Sequence, residues 1–375
     1  MKRIVILGSG GSIGENALNV VRTHPGQFEI VGLAVQRNAG RLLEQAREFG
    51  VTQLAVADES AAEDCRRSAD DTMTIHSGPD GITQLAGMDG IDMLLCAVVG
   101  TAGLAPVIAA LEQGTHIALA TKEVMVAAGE LVNELAANNN ASLVPVDSEH
   151  NAIFQCLEGH PPEHVERLIL TASGGPFLNK PDVNFDDVTV EQALAHPRWD
   201  MGPKITIDSA SMMNKGLEII EARWLFNTPL EQIDVVIHPE SIIHSMVEFI
   251  DGSILAQLSP TDMRFAIQHA LCWPDRLPAS AERLDLVKLG ALHFAEPDPD
   301  RFPMLRLARE AAQACGTLPA VLNAANEAAV QRFLDGQIPF SGIWKHVESK
   351  MSAHSLIEQP SLEDILEADR WARES

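Results

Sequence analysis

No stretch of about 18 uncharged apolar residues occurs in the chain, so no helical membrane span is expected. Cysteine is sparse: Cys65, Cys96, Cys156, Cys272 and Cys315 lie far apart with no CxxC pair. That spacing excludes a zinc ribbon and a disulfide framework and fits buried thiols. Positive charge is also short, with 27 Lys+Arg against 52 Asp+Glu and a formal net charge of -25. A nucleic-acid-binding surface is thereby excluded. The same deficit constrains any anionic small ligand, which needs a local cluster of donors or a cation to offset the surrounding field. The opening residues Met1-Lys2-Arg3-Ile4-Val5-Ile6-Leu7 lack the long apolar stretch and small-residue cleavage site of a secretory signal, and a cytoplasmic location is expected. Internal repeats and low-complexity segments are absent too.

What is present is a chain of 375 residues, 46% of them hydrophobic, enough for two or three domains with their own cores. Strand-like runs at 3–7, 28–35, 53–57, 93–98, 116–120 and 142–145 alternate with helical patterns at 15–22, 40–49 and 103–113. This rhythm predicts an α/β fold whose N-terminal part, residues 1–147, is a Rossmann-type doubly wound parallel sheet. Strand-like segments at 167–171, 205–207, 235–238, 244–249 and 253–258 then carry longer connections, which predicts a central α+β catalytic domain over 148–272. A proline-rich stretch at 273–302 reads as a linker, and residues 303–375 as a small C-terminal α-helical bundle.

The first strand runs into Gly8-Ser9-Gly10-Gly11-Ser12-Ile13-Gly14 and then a helix. Ile13 breaks a strict G-x-G-x-x-G, but Gly8, Gly11 and Gly14 satisfy G-x-x-G-x-x-G. Either spacing makes a tight turn that aims helix N-terminal N–H groups at a pyrophosphate. The second strand ends Val35-Gln36-Arg37-Asn38, without the carboxylate that holds an NAD ribose. An arginine there pairs with a 2′-phosphate, so NADPH is expected over NADH.

Downstream, Asp147 and Glu149 close an apolar strand two residues apart. In extended backbone they point the same way and can share one hard cation, Mg²⁺ or Mn²⁺. The turn 171–177 offers Ser173 and backbone N–H groups to an anion. The segment 208–218 follows a strand-like run and brings Ser209, Asn214 and Lys215 as donors, with Glu218 three residues after the lysine. His196 and Trp199 sit in a loop suited to a lid.

Taken together, the segments 7–14, 121–123, 145–155, 171–177, 196–202, 208–218, 237–247 and 319–327 closely resemble the 1-deoxy-D-xylulose 5-phosphate reductoisomerases, in order and over nearly the whole chain. The resemblance implies a three-domain homodimer that makes 2-C-methyl-D-erythritol 4-phosphate. It implies that Asp147, Glu149 and Glu218 hold the metal, while Ser148 and Lys122 contact the substrate backbone. Ser173, His196, Ser209, Asn214 and Lys215 would take the phosphate, with Trp199 and Met201 closing over it. Gly8, Gly10, Gly11, Ser12, Ile13, Gln36, Arg37, Asn38, Thr121, Glu123, Met201 and Gly202 fall on the cofactor side. Three departures lie on that same side: Gly10 stands for the family's threonine, Thr121 and Val124 flank Lys122-Glu123 in place of asparagine and serine, and Gln36 replaces a glycine. Two other readings share the nucleotide half, a metal-free dehydrogenase of the homoserine dehydrogenase kind and a catalytically silent NADP-binding regulator. A chelator separates the first, and substrate-dependent NADPH oxidation the second.

Overall fold

The computed structural model describes residues 1–199 and 201–374. Its strands are β1 (Lys2–Leu7), β2 (Phe28–Val35), β3 (Gln53–Val56), β4 (Thr74–Ser77), β5 (Met93–Cys96), β6 (His116–Leu119), β7 (Leu143–Pro145), β8 (Val165–Ala172), β9 (Ile233–Ile237), β10 (Ile243–Phe249) and β11 (Ile254–Leu258). The helices up to the middle of the chain are α1 (Ser12–Thr23), α2 (Ala39–Phe49), α3 (Glu59–Ser68), α4 (Gly78–Ala86), α5 (Leu104–Glu112), α6 (Lys122–Asn138), α7 (Ser148–Leu157), α8 (Val190–Leu194), α9 (Pro203–Ala210) and α10 (Met213–Leu225). Then come α11 (Arg264–Cys272), α12 (Leu286–Leu289), α13 (Met304–Ala314), α14 (Leu318–Leu334), α15 (Gly342–Ala353) and α16 (Leu362–Arg373). No helix among the described residues is long and apolar enough to cross a membrane.

The chain divides into two compact units. The first comprises Met1–Val124, Glu130–Asn151 and Asp262–Glu282, and holds a seven-stranded sheet of order β4-β3-β2-β1-β5-β6-β7. Every neighbouring pair in it is parallel. A parallel sheet buried on both faces selects unbroken apolar runs, as in Ile4-Val5-Ile6-Leu7, all fully buried. The strand order reverses between β1 and β5, and such a switch point is where open α/β sheets open a crevice for ligands. Strand β4 escapes the sequence pattern because Thr-Ile-His-Ser at an edge is too short and too polar to show a period.

Helix α11 belongs to this first unit, where a central domain reaching to residue 272 was expected. Its buried Ala266, Ile267, Ala270 and Leu271 supply an apolar face, it packs on α1 and β7, and Lys2 Nζ donates to the Leu271 and Trp273 carbonyls at 2.9 and 2.8 Å. Burial on this helix carries a pH consequence. His269 faces Asn151 Nδ2 at 3.1 Å, and burial, aided by the charge of Arg276, pushes its pKa down to about 4. The folded chain therefore refuses a proton that the unfolded chain accepts, and stability present near pH 7 is lost as pH falls from about 6.5 toward 4. Urea melts at pH 7 and pH 5 are expected to show that loss, about 2 kcal/mol between the two, and His269→Asn to remove most of it. An equal loss in both proteins would assign acid sensitivity to other groups.

The second unit comprises Met125–Gly129, Ala152–Thr261 and Arg283–Ser375. Its four-stranded sheet has the order β11-β10-β8-β9, with β10 antiparallel to both neighbours and β8 parallel to β9. The expected separation into a central domain and a C-terminal bundle gives way to one shared core, which runs from Leu168, Phe177 and Ile207 through Leu307 and Val321 to Phe340 and Ala372. Residues 205–207, expected as a strand, lie inside α9. Pro203 starts that helix after Gly202, and Thr206 Oγ1 bonds back to the Gly202 carbonyl at 2.9 Å, so two isoleucines flanking a threonine mimic a strand only in their spelling.

Candidate active site

In the first unit the glycine turn follows β1 directly. Gly8 has φ +85°, and a Cβ there would lie 2.3 Å from the Ala97 carbonyl oxygen, so only glycine lets β1 and the segment after β5 approach this closely. A Cβ on Gly14 would meet the Gly8 oxygen at 2.4 Å, which closes the turn onto the start of α1. Gly10, Gly11 and Ser12 are exposed and Ile13 is half-buried, leaving that stretch of backbone open at a helix N-terminus.

Gln36, Arg37 and Asn38 are exposed beyond β2. Arg37 Nε donates to Asp58 Oδ2 at 2.8 Å, and Asn38 Oδ1 caps α2 by accepting from Arg41 N at 3.1 Å. Hydrogen bonds from Ser60 and the Ala61 N–H, with Arg37 alongside, hold the Asp58 carboxyl at about 2. Thr121 is buried, and its hydroxyl donates to the Val98 carbonyl at 2.5 Å, so it pins the end of β5 to the start of α6. Glu123 is half-buried in the first turn of α6.

Lys122, the first residue of α6, forms an ion pair with Asp147, both largely buried. The extended Asp147–Glu149 pair expected at a strand end is not found. β7 stops at Pro145, α7 starts at Ser148, and Asn151 N already donates to the Asp147 carbonyl at 2.8 Å. Asp147 thus immediately precedes the helix and Glu149 sits in its first turn, where Ser148 Oγ donates to Glu149 Oε2 at 2.6 Å. A helix begins between them, so strand alternation does not set the direction of these two side chains.

The second unit gathers the remaining candidates. After β8 the chain turns through Gly174 and Gly175 at φ +82° and +66°, and Ser173 Oγ accepts from the Gly175 N–H at 3.3 Å. A Cβ on Gly175 would lie 2.9 Å from the Ser209 carbonyl oxygen, so this turn packs directly on the end of α9. His196 Nε2 is 3.0 Å from Ser173 Oγ, while its Nδ1 accepts from the Arg198 and Trp199 N–H groups at 3.2 and 2.9 Å. Two N–H donors on Nδ1 place the proton of a neutral ring on Nε2, and burial lowers the pKa of His196, keeping it neutral at pH 7. Ser173 and His196 are therefore brought together, and the turn after Ser173 packs on the Ser209 backbone.

Segment 208–218, expected to follow a strand, is the end of α9 and the start of α10, joined through Met212 at φ +65°. Lys215 and Glu218, 3% and 0% exposed, form a buried ion pair, and Asn214 Nδ2 donates to Glu218 Oε1 at 2.5 Å. Burial of this kind demands a partner for each charge. Trp199 and Met201 are partly exposed in the irregular stretch between α8 and α9, and Gly202 caps α9.

Family profiles match almost end to end: a 1-deoxy-D-xylulose 5-phosphate reductoisomerase profile over residues 4–129, its C-terminal domain profile over 143–226, and a DXP reductoisomerase C-terminal domain profile over 258–375. The chain is 54% identical over its full length to the 1-deoxy-D-xylulose 5-phosphate reductoisomerase of Chlorobium phaeobacteroides, covering 98% of that protein. It is 53% identical to the same enzyme of Symbiobacterium thermophilum, covering 97% of it. The chain belongs to the 1-deoxy-D-xylulose 5-phosphate reductoisomerase family. The reductoisomerase structure from Zymomonas mobilis in complex with NADPH superposes with a TM-score of 0.93 at 43% identity, over 99% of this chain and 97% of that one. A DOX-P reductoisomerase in complex with NADPH, fosmidomycin and magnesium gives 0.94 at 39% identity, over 100% and 97%.

Within this reductoisomerase fold, one set of residues went unread in the sequence. Asp208, 1% exposed, accepts from Asn326 Nδ2 at 2.8 Å through one oxygen and pairs with Lys204 Nζ at 2.8 Å through the other. This fixes α9, and with it Ser209, against α14. Both partners stand in segments the family shares, but nothing in their spacing links positions 208 and 326.

Proposed function

We propose that this chain rearranges and reduces 1-deoxy-D-xylulose 5-phosphate to 2-C-methyl-D-erythritol 4-phosphate, using NADPH and Mg²⁺ or Mn²⁺, as a cytoplasmic homodimer. Family membership at 54% identity over the full chain carries the reading. The geometry within each unit is consistent with it.

Asp147, Glu149 and Glu218 are the metal ligands in this reading. Their hard oxygen donors suit Mg²⁺ or Mn²⁺, and their charges are already managed by cations, Lys122 beside Asp147 and Lys215 beside Glu218. Bound there, the metal supplies Lewis acidity to the substrate oxygens and NADPH supplies the hydride. The rest is positioning. Ser173, His196, Ser209, Asn214 and Lys215 take the phosphate, which is remote from bond-making and serves to orient the fragments of a retro-aldol cleavage and re-addition. A neutral His196 donates through Nε2 without adding charge, and Lys215 brings local positive charge within a chain of net charge -25. Lys122 and Ser148 hold the sugar backbone, and Trp199 with Met201 covers the site against water. Gly8, Gly10, Gly11, Ser12 and Ile13 cradle the pyrophosphate, Gln36, Arg37 and Asn38 take the adenosine end, and Thr121, Glu123 and Gly202 complete the cofactor side.

The homodimer draws support from the outer sheet of the second unit. Edge strand β11 leaves Ile254 and Leu255 50% and 42% exposed, next to Ile250 at 63% in the connection from β10, an apolar edge that a partner would cover.

The purified protein with NADPH and deoxyxylulose phosphate is expected to consume NADPH, followed by its absorbance, only when Mg²⁺ or Mn²⁺ is present. Substrate-dependent oxidation that persists in excess chelator would favour a metal-free dehydrogenase.

A further inference from the structure

We propose that Gln45 is a positioning residue for the cofactor loop, an inference that rests on the NADPH reading. Gln45 lies in the middle of α2, away from the glycine turn in sequence, and is 0% exposed. A buried amide is costly unless bonded, and every bond of this one goes to the turn or to the helix that follows it. Its Oε1 accepts from Ser9 Oγ at 2.7 Å, and its Nε2 donates to the Ser9 carbonyl at 3.0 Å and to Glu15 Oε1 at 2.9 Å.

Ser9 is thereby held from two sides. Its N–H, like that of Gly8, donates to the Ala34 carbonyl of β2 at 2.9 Å, while α2 grips its oxygen atoms through Gln45. The turn is split into an inner arc, clamped and buried at Ser9, and an exposed outer arc of Gly10, Gly11 and Ser12, in which the Gly11 N–H closes the turn on the Gly8 carbonyl at 3.0 Å.

The bond to Glu15 extends the device. This carboxylate stands in the first turn of the helix expected to face the pyrophosphate, where its charge would oppose a dianion. Arg41, one turn before Gln45 on α2, grips it with both Nε and Nη2, at 2.6 and 2.8 Å, and holds its pKa below the ordinary range. Gln45 joins the loop to that balanced pair. Preformed donors at the outer arc then lose little conformational freedom when cofactor binds.

The test is an NADPH fluorescence titration of wild type, Gln45→Met and Ser9→Ala, followed by steady-state kinetics. Gln45→Met keeps the length and removes all three bonds, and is expected to weaken NADPH binding about tenfold. Its kcat at saturating NADPH and its KM for the sugar phosphate are expected to stay within about twofold of wild type. Ser9→Ala removes a single contact and is expected to cost about two- to threefold in NADPH affinity, and it decides the matter if Gln45→Met does not fold. A fall in the melting temperature of both variants with NADPH affinity unchanged would make Gln45 a packing residue and overturn the proposal. Wild-type protein that fails to bind NADPH would instead overturn the cofactor reading on which it rests.

Discussion

Glu218→Gln is expected to lower kcat by about a thousandfold while leaving NADPH affinity unchanged. Glu218 is fully buried, and its two oxygens are engaged by the Lys215 ammonium and the Asn214 amide. A glutamine keeps the shape but withdraws the charge that a divalent cation needs. It also removes the negative member of the buried Lys215–Glu218 pair, a change that costs about 3–5 kcal/mol of stability. The loss of turnover thus has two possible sources, and a second variant parts them. In Lys215→Met/Glu218→Gln neither charge remains, so thermal stability is expected to recover toward wild type. Turnover is expected to stay low, because the ligand and the phosphate cation are both gone. Normal turnover in Glu218→Gln would sink the metal assignment. Recovery of turnover along with stability in the double variant would show that the single change acted only through folding.

The nucleotide unit was legible because its determinants are local. The run 28–35 is apolar but for the exposed Glu29 and is strand β2 over those same residues, and Gly8 and Gly14 announce a turn that sterics demand. The second unit was harder wherever a contact is long-range. Residues 205–207 alternate as a strand would, yet Gly202 and Pro203 ahead of them start a helix, a cue that outweighs three residues of pattern. Helix α11 was assigned by adjacency to the centre of the chain, although Lys2 and α1, more than 240 residues earlier, hold it. The strand-end geometry expected for Asp147 and Glu149 failed, since nothing in Pro145-Val146-Asp147 marks where extension ends and helix begins. Gln45 left no signal at all. A glutamine on an amphipathic helix reads as surface, and only the folded turn shows it sealed inside with the Ser9 carbonyl.

Gly8→Ala is expected to weaken NADPH binding at least a hundredfold, and the reason is collision more than backbone strain. At φ +85° an alanine costs about 1–2 kcal/mol for the left-handed conformation alone. Added to that, its Cβ would stand 2.3 Å from the Ala97 oxygen and 2.9 Å from the Ala97 carbon, both of them backbone atoms between β5 and the following turn. Neither can swing aside as a flexible side chain would, so β1 and β5 must part or the turn must shift. Either movement displaces the exposed arc at Gly10–Ser12 that is to meet the pyrophosphate. Gly50 supplies the control: it ends α2 at φ +70° with nothing within 4 Å of a built Cβ. Gly50→Ala therefore carries the conformational strain without the collision, and is expected to lose about 1 kcal/mol of stability with NADPH affinity intact. Thermal melts and fluorescence titrations of the two variants side by side read the difference. If Gly8→Ala binds NADPH as well as Gly50→Ala does, the close approach of β1 to the Ala97 segment is not what shapes the cofactor loop.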